Sequence, residues 1–393
     1  MKSSKNLYIF ILSLLISYGS IGAVCFTPGL PKIAEYFAVS DQVAEFTISW
    51  YLVGYAIGQL IYGPLVNRFG NRSTIIFAAI LAIIGCVGSI ASYYTKSFDL
   101  LLVSRVIMAL GAASGLKMTF TLSSKLFDVK DSARVLGLLT MAFAITPGLG
   151  VFLGGILVNQ YSWVAPFYLM IVYSLAIIYL NKFLPMVYKA DSSIKFSVLT
   201  ILRNYILQIK DVNVILGGAL LGMGSCFVYV FATLSPFIAI KIMGLKPQDY
   251  GMYNFIPSIG ILLGSLSSNY VGQKYTPKLS LKLGVLITTL GTLVLFMCMS
   301  WHNAPLYMFI PMIMVFYGLS FIFGNSAALA LHKVKDTSNA SAVMSFINMG
   351  SAVLAVMIMT NFAITQAVVL PIIYVILSLI TIILCSILIL KQK

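Results

Sequence analysis

The segment Gly63-Pro64-Leu65-Val66-Asn67-Arg68-Phe69-Gly70-Asn71-Arg72 closes one apolar run, 46 to 66, and leads into a second, 74 to 94. Each run supplies about the 20 apolar residues that a helix needs to cross the hydrocarbon of a bilayer. The two arginines fall in the gap, where membrane proteins place positive charge to fix their orientation. A chain that crosses, turns on a short basic connection and crosses again is polytopic, and the alternation extends in both directions. On the same ruler the remaining runs are 7 to 27, 99 to 122, 135 to 157, 164 to 184, 213 to 238, 250 to 271, 280 to 300, 304 to 328, 341 to 365 and 369 to 390. The expected fold class is an all-α membrane protein of twelve transmembrane helices.

Composition agrees. The 393 residues are 60% hydrophobic and 9% charged, against roughly 25% charged in an ordinary soluble domain. The net charge of +15 would suit nucleic acid if the basic residues formed a patch with interleaved aromatics, but they lie in the gaps between apolar runs. No nucleic-acid partner is expected; membrane lipid is. The cysteines Cys25, Cys86, Cys226, Cys298 and Cys385 stand singly, with no C-x-x-C and no histidine at metal-ligand spacing, so they read as buried small hydrophobes. The run after Lys2 and Lys5 lacks a small-residue cleavage site and is followed by further spans, which makes it a first transmembrane helix rather than a signal peptide.

An even number of spans puts both termini on one side. With the termini in the cytoplasm, nineteen of the 25 Lys and Arg fall on that side, only Lys32, Lys96, Lys241 and Lys246 face out, and Arg105 and Lys117 stay inside an apolar run. The positive-inside rule therefore predicts a bacterial inner-membrane protein with both termini cytoplasmic. The connection 185–212 divides the chain into an N-terminal half, 1–184, and a C-terminal half, 213–393. Gly54-x-x-x-Gly58 in the second span is echoed by Gly260-x-x-x-Gly264 in the eighth, as duplicated halves rocking about a central site would show.

With its neighbours, the opening segment resembles the signature loop of the major facilitator superfamily, G-x-L-x-D-R-x-G-R-R. The resemblance implies that Gly63, Asn67, Arg68, Gly70 and Arg72 form a latch between the halves on the cytoplasmic side. Asn67 stands where the family has Asp, so a hydrogen bond would replace an ion pair. Gly54, Gly58, Gln59 and Gly63-Pro64, with Pro28-Gly-Leu-Pro31, are similar to the Bcr/CflA-type drug/proton antiporter branch. Arg105 to Ala113 is similar to that branch's R-x-x-Q-G-x-G-A-A, with Met108 and Ala109 replacing Gln and Gly. Pro147-Gly-Leu-Gly150-Val151-Phe-Leu-Gly154-Gly155 is similar to the antiporter motif P-x-x-G-P-x-x-G-G. The resemblance implies a secondary transporter, multidrug-efflux-like, with Gln59, Pro147, Gly150, Gly154 and Gly155 packing and bending at its gates.

The carboxylates bear on coupling. All ten lie in loops or at span ends on this map, and Val24 occupies the place where the branch usually has an acid in the first span. A carboxylate buried in the bundle is the usual proton carrier, so the chain is expected to lack one unless Glu35 or Glu45 folds back inward. Arg105, costly in hydrocarbon by about 2.5–3.5 kcal/mol, reads equally as a contact for an anion or as a clamp between helices. Lys117, about 18 Å further along the helix and about 120° round it, reads first as a lysine snorkelling to the interface. Tyr18, Tyr51, Tyr55, Tyr229, Asn325 and Asn348 are candidates to line a substrate cavity, though each singly suits packing. Two internal cations without an internal acid suit an alternative substrate, an organic acid or polycarboxylate siderophore that carries its own proton. His302 and His332 complete no catalytic or metal set, and there is no G-x-x-x-x-G-K-[ST] loop. No enzyme, cofactor or metal is expected. The partners are a small-molecule substrate and protons, the state a monomer; a transport-inactive receptor is the reading from another class.

Overall fold

In a computed structural model, the structure describes residues 2–127, 129–191, 198–332, 334, 337–359 and 366–391, and these contain helices and no strands. The helices are α1 (Lys2–Val24), α2 (Leu30–Tyr36), α3 (Asp41–Ala44), α4 (Phe46–Thr95), α5 (Phe98–Ala112), α6 (Ser114–Leu126), α7 (Val129–Gln160) and α8 (Ala165–Leu180). After the central connection come α9 (Val198–Ile209), α10 (Val212–Pro236), α11 (Pro247–Tyr253), α12 (Phe255–Lys274), α13 (Pro277–Trp301), α14 (Pro305–Leu331), α15 (Thr337–Met359) and α16 (Val369–Lys391).

Short polar residues between apolar runs start these helices because their side chains satisfy an otherwise orphaned backbone N–H. Ser40 accepts from Val43 N, Ser97 from Leu100 N, Asp211 from Asn213 N and Thr276 from Leu279 N. Pro247, Pro277 and Pro305 occupy first helical positions, where the missing N–H costs nothing. Ten helical runs among the described residues are long and apolar enough to cross a membrane. One of them, Asp41–Thr95, has 55 residues, about 80 Å as a straight helix, and makes two crossings. The twelfth crossing is α11 with α12, whose serines and glycines dilute its hydropathy.

Several expected boundaries move. Residues 67–73 are not a free loop: helical bonding continues from the second span into the third, broken only at Gly70, with φ 78° and ψ 165°. The fourth span divides at Ala113, where α5 gives way to α6. The seventh ends in a π-helical turn, Phe237–Ile242. The connection 185–212 holds a helix, α9, and the expected span end at 360–365 lies outside the described residues.

Apolar side chains face outward along the spans, Phe77, Leu153, Val172, Leu286 and Leu379 among them, and Tyr94, Tyr161 and Trp301 stand exposed at span ends, as an interfacial aromatic belt requires. Inside, glycines bring backbones together. A methyl group on Gly54 would lie 2.4 Å from the Val106 carbonyl oxygen, and one on Gly260 would lie 2.2 Å from that of Ile313. The two echoed glycine motifs thus do the same work, seating the second span on the fourth and the eighth on the tenth.

Candidate functional site

Arg105 is completely buried, and its environment follows from where α1 stops. The last carbonyls of a helix lack intrahelical donors, and α1 ends at Val24. Arg105 donates through Nη1 to Gly22 O at 2.9 Å, through Nη2 to Ala23 O at 3.4 Å, and through Nε across to Thr47 O at 3.1 Å. Its guanidinium also reaches Met108 Sδ at 3.4 Å and lies 4.0 Å from the Phe26 ring centroid and 4.2 Å from that of Tyr51. The cation complements the negative end of α1 and ties α1, α4 and α5 together, with its donors directed at backbone and sulfur.

Most of the predicted cavity residues are held by similar bonds. Tyr51 donates to Gly19 O at 2.8 Å, and Tyr18 hydrogen-bonds Ser174 and stacks on Tyr173 at 5.6 Å. Asn325 donates to Ser268 Oγ, Ser280 Oγ and Phe321 O at 3.2, 2.9 and 2.8 Å, which joins α12, α13 and α14. Gln59 donates to Ala113 O at 3.3 Å, satisfying a carbonyl freed by the break between α5 and α6, and hydrogen-bonds Tyr55. Lys117 is half-buried, with its Cε 3.6 Å from where a Cβ on Gly63 would sit.

What remains in the centre is Tyr51, Tyr55 and Tyr229. The first two stack at 6.3 Å between centroids. Tyr229, from the second half, keeps part of its surface open and lies close enough to interact electrostatically with both. Asn348 is half-buried with an unpartnered side-chain oxygen and lies by Gly222. This aromatic meeting point draws on both halves, with the Arg105 guanidinium on Tyr51 behind it.

On the basic face, the signature segment turns inward on its own half. Arg68 Nη1 donates to Asp191 O at 3.0 Å, Arg72 Nη2 to Lys182 O at 2.6 Å and Asn71 Nδ2 to Pro185 O at 3.2 Å. Tyr188 N returns a bond to Asn71 Oδ1 at 3.1 Å. Gly70 is required here, since a Cβ would lie 2.7 Å from Tyr188 O at a positive φ. Asn67 is exposed. The latch between halves that the resemblance implied is thus, among the described residues, a clamp on the start of the central connection. The halves meet on this face instead through Leu60, which packs with Ala340, Val343 and Met344 and accepts from Tyr205 Oη at 2.9 Å. Burial raises the Tyr205 phenol above its usual range, which keeps it a donor.

On the opposite face α7 does the joining. A methyl on Gly154 would lie 1.6 Å from Cys25 O, and one on Gly155 would lie 2.5 Å from Pro247 O. Gly150 has no contact closer than 3.5 Å, and Pro147 is half-buried within α7. Phe152 and Phe255 stand 5.1 Å apart, and Asp41 pairs with Lys241 across the halves.

The sequence left open whether Glu35 or Glu45 folds back to supply the acid that Val24 does not. Glu35 is exposed, but Glu45 is fully buried, with neither carboxylate oxygen hydrogen-bonded. The readable signal was Ser40, whose cap starts the helix at Asp41 and carries Glu45 inward one turn later.

Apolar helical spans packed through glycine seams and meeting around aromatic side chains define a polytopic helical membrane protein. The family model described as Major Facilitator Superfamily matches residues 10–360, and the chain belongs to that superfamily. It is 25% identical over 277 residues to a protein of Haemophilus influenzae described as a bicyclomycin resistance protein homolog, covering 69% of this chain and 68% of that one. It is 24% identical over 253 residues to Multidrug resistance protein MdtL of Shewanella sp. strain ANA-3, covering 64% and 62%. Its fold matches the crystal structure of a D-xylose-proton symporter with a TM-score of 0.77 at 16% identity, over 97% of this chain and 96% of that one.

Proposed function

We propose that the protein is a drug/proton antiporter: a monomeric inner-membrane carrier with cytoplasmic termini that expels small apolar, neutral or cationic organic solutes by alternating access. The observation that supports this most is the meeting of Tyr55 and Tyr229, one from each half, where the partly open Tyr229 ring adjoins aromatic surface and the nearby Arg105 cation is already committed to backbone carbonyls and to the Phe26 and Tyr51 rings. Aromatic faces attract apolar and cationic ligands through dispersion and the ring quadrupole. Arg105, the anchor of an anionic substrate, has its donors turned to Gly22, Ala23 and Thr47, which favours a neutral or cationic solute over an organic acid or siderophore. The names of the relatives point the same way.

The test is flux into proteoliposomes under an imposed pH gradient, comparing a lipophilic cation with a tricarboxylate. Gradient-driven movement of the cation, reduced by Tyr229→Ala, is expected. Movement of the tricarboxylate with none of the cation would overturn the reading.

A further inference from the structure

Glu45 is 0% exposed, and both its carboxylate oxygens lack a hydrogen-bond partner. One turn further on, Ser49 is equally buried and its Oγ is also unpartnered; residues four apart share a helix face. One turn before, Asp41 is only partly buried and forms the ion pair with Lys241 of the second half. The same helical face therefore carries an ionised carboxylate that bridges the halves and, one turn deeper, a carboxyl sealed from water.

The surroundings do not compensate a charge on Glu45. Asp41 is itself negative and acts on Glu45 unfavourably. Lys241 is taken by Asp41. On α5, Arg105 directs its donors to carbonyls and sulfur, and Asp99 is exposed. On α2, Lys32 donates to Val158 O and Tyr36 to Tyr93 O, while Glu35 is exposed. Tyr168 on α8 is exposed, and α15 carries no ionisable side chain. An ion stripped of water with no donor is too costly to persist, and such a group takes up a proton instead.

We infer that Glu45 is a proton-binding gate on the opposite face: it takes a proton from the water there as the halves close, and its O–H ionises when they part, returning the proton to the same water, so the site senses the pH of that face and carries no net proton across. This rests on the reading of the chain as an alternating-access carrier and adds to it a pH-sensitive gate. Neutral Glu45 leaves the Asp41–Lys241 ion pair with no second negative charge one turn away. Loss of the proton would place two negative charges one turn apart on one face and require the seal over Glu45 to open. The closed arrangement thus binds one proton more than the open one, and it is favoured at low pH and lost as pH rises. For one proton the ratio of open to closed molecules changes by up to tenfold per pH unit.

Spin labels on Tyr161→Cys and Lys246→Cys, exposed positions on the opposite face of the two halves, report the distance between them in lipid nanodiscs without any substrate. The expected result is a short distance at low pH that gives way to a longer one as pH rises, a short distance at every pH in Glu45→Gln, and recovery of the pH dependence in Glu45→Asp. An infrared band of a protonated carboxyl present in the wild type and missing in Glu45→Gln supports the assignment independently of opening. Opening that depends on pH equally in wild type and Glu45→Gln would overturn it, as would a wild-type distance that never responds to pH. Proton-driven flux that persists unchanged in Glu45→Gln would sink this inference while leaving the carrier reading intact. Conversely, a gate that titrates through Glu45 in a protein showing no proton-driven flux supports the site and removes the antiport reading.

Discussion

Replacing Arg105 separates a clamp from a ligand contact. In Arg105→Leu the carbonyls of Gly22, Ala23 and Thr47, now 2.9–3.4 Å from guanidinium nitrogens, lose that donor inside the bundle. Each buried polar group left unpaired costs about 1–3 kcal/mol; Thr47 O, in the first turn of α4, keeps its intrahelical donor, so the two carbonyls at the end of α1 cost about 4 kcal/mol at the middle of that range. Removing a charge from the membrane interior returns about 3 kcal/mol. The net loss centres on about 1 kcal/mol, to which the contacts with the Phe26 and Tyr51 rings add about 0.5–2 kcal/mol. Arg105→Lys keeps the charge, but a single ammonium cannot face three carbonyls in the plane a guanidinium spans, so it should recover only part of the loss. The assay is thermal unfolding of purified protein in detergent, followed by monodispersity on gel filtration. A fall of several degrees for Arg105→Leu and a smaller one for Arg105→Lys are expected, with transport of every solute falling in parallel. An unchanged unfolding temperature accompanied by loss of anion transport alone would refute the clamp and restore Arg105 as a substrate contact.

Three further outcomes follow from the geometry. Gly154→Ala should sharply lower the yield of folded protein, because its methyl would have to push α1 and α7 apart by more than about 1 Å, while Gly150→Ala, with nothing nearer than 3.5 Å, should be close to neutral in the same expression assay. Asn71→Ala removes side-chain bonds to Pro185 and Tyr188 and should speed limited proteolysis in the 185–211 connection without changing the protease sensitivity of other segments. Tyr229→Phe should retain flux of an aromatic cation, whereas Tyr229→Ala should reduce it about 2- to 10-fold, as loss of an aromatic contact worth about 0.5–1.5 kcal/mol implies; equal flux in both variants would remove Tyr229 from the solute path.

The spans were legible because a bilayer imposes a length and a polarity that each segment must satisfy by itself. The run 74 to 94 needs no knowledge of its neighbours to be read as a crossing. The glycine motifs were legible as close-approach surfaces for the same reason: a residue without a side chain inside an apolar run has few other uses. Boundaries moved where local chemistry outweighed hydropathy, as at Gly70, where a left-handed turn keeps the second and third spans joined, and at Ser40, whose cap extends the second span outward.

The candidate site was less legible, since partners come from distant segments. That Arg105 lies in the membrane follows from its place in the apolar run 99 to 122. That it is spent on α1 depends on where α1 ends and on Phe26 and Tyr51 enclosing it. The signature segment announced a contact on the basic face, yet only the fold brings residues 182–191 beneath it. Glu45 marks the difference most clearly: in the sequence it is an acid beside a span, and its burial is created by the helices that close around it. Hydropathy is a property of each segment and is written in the sequence, whereas the fate of a polar group is set by which donors, charges and water reach it, and the tertiary structure alone decides that.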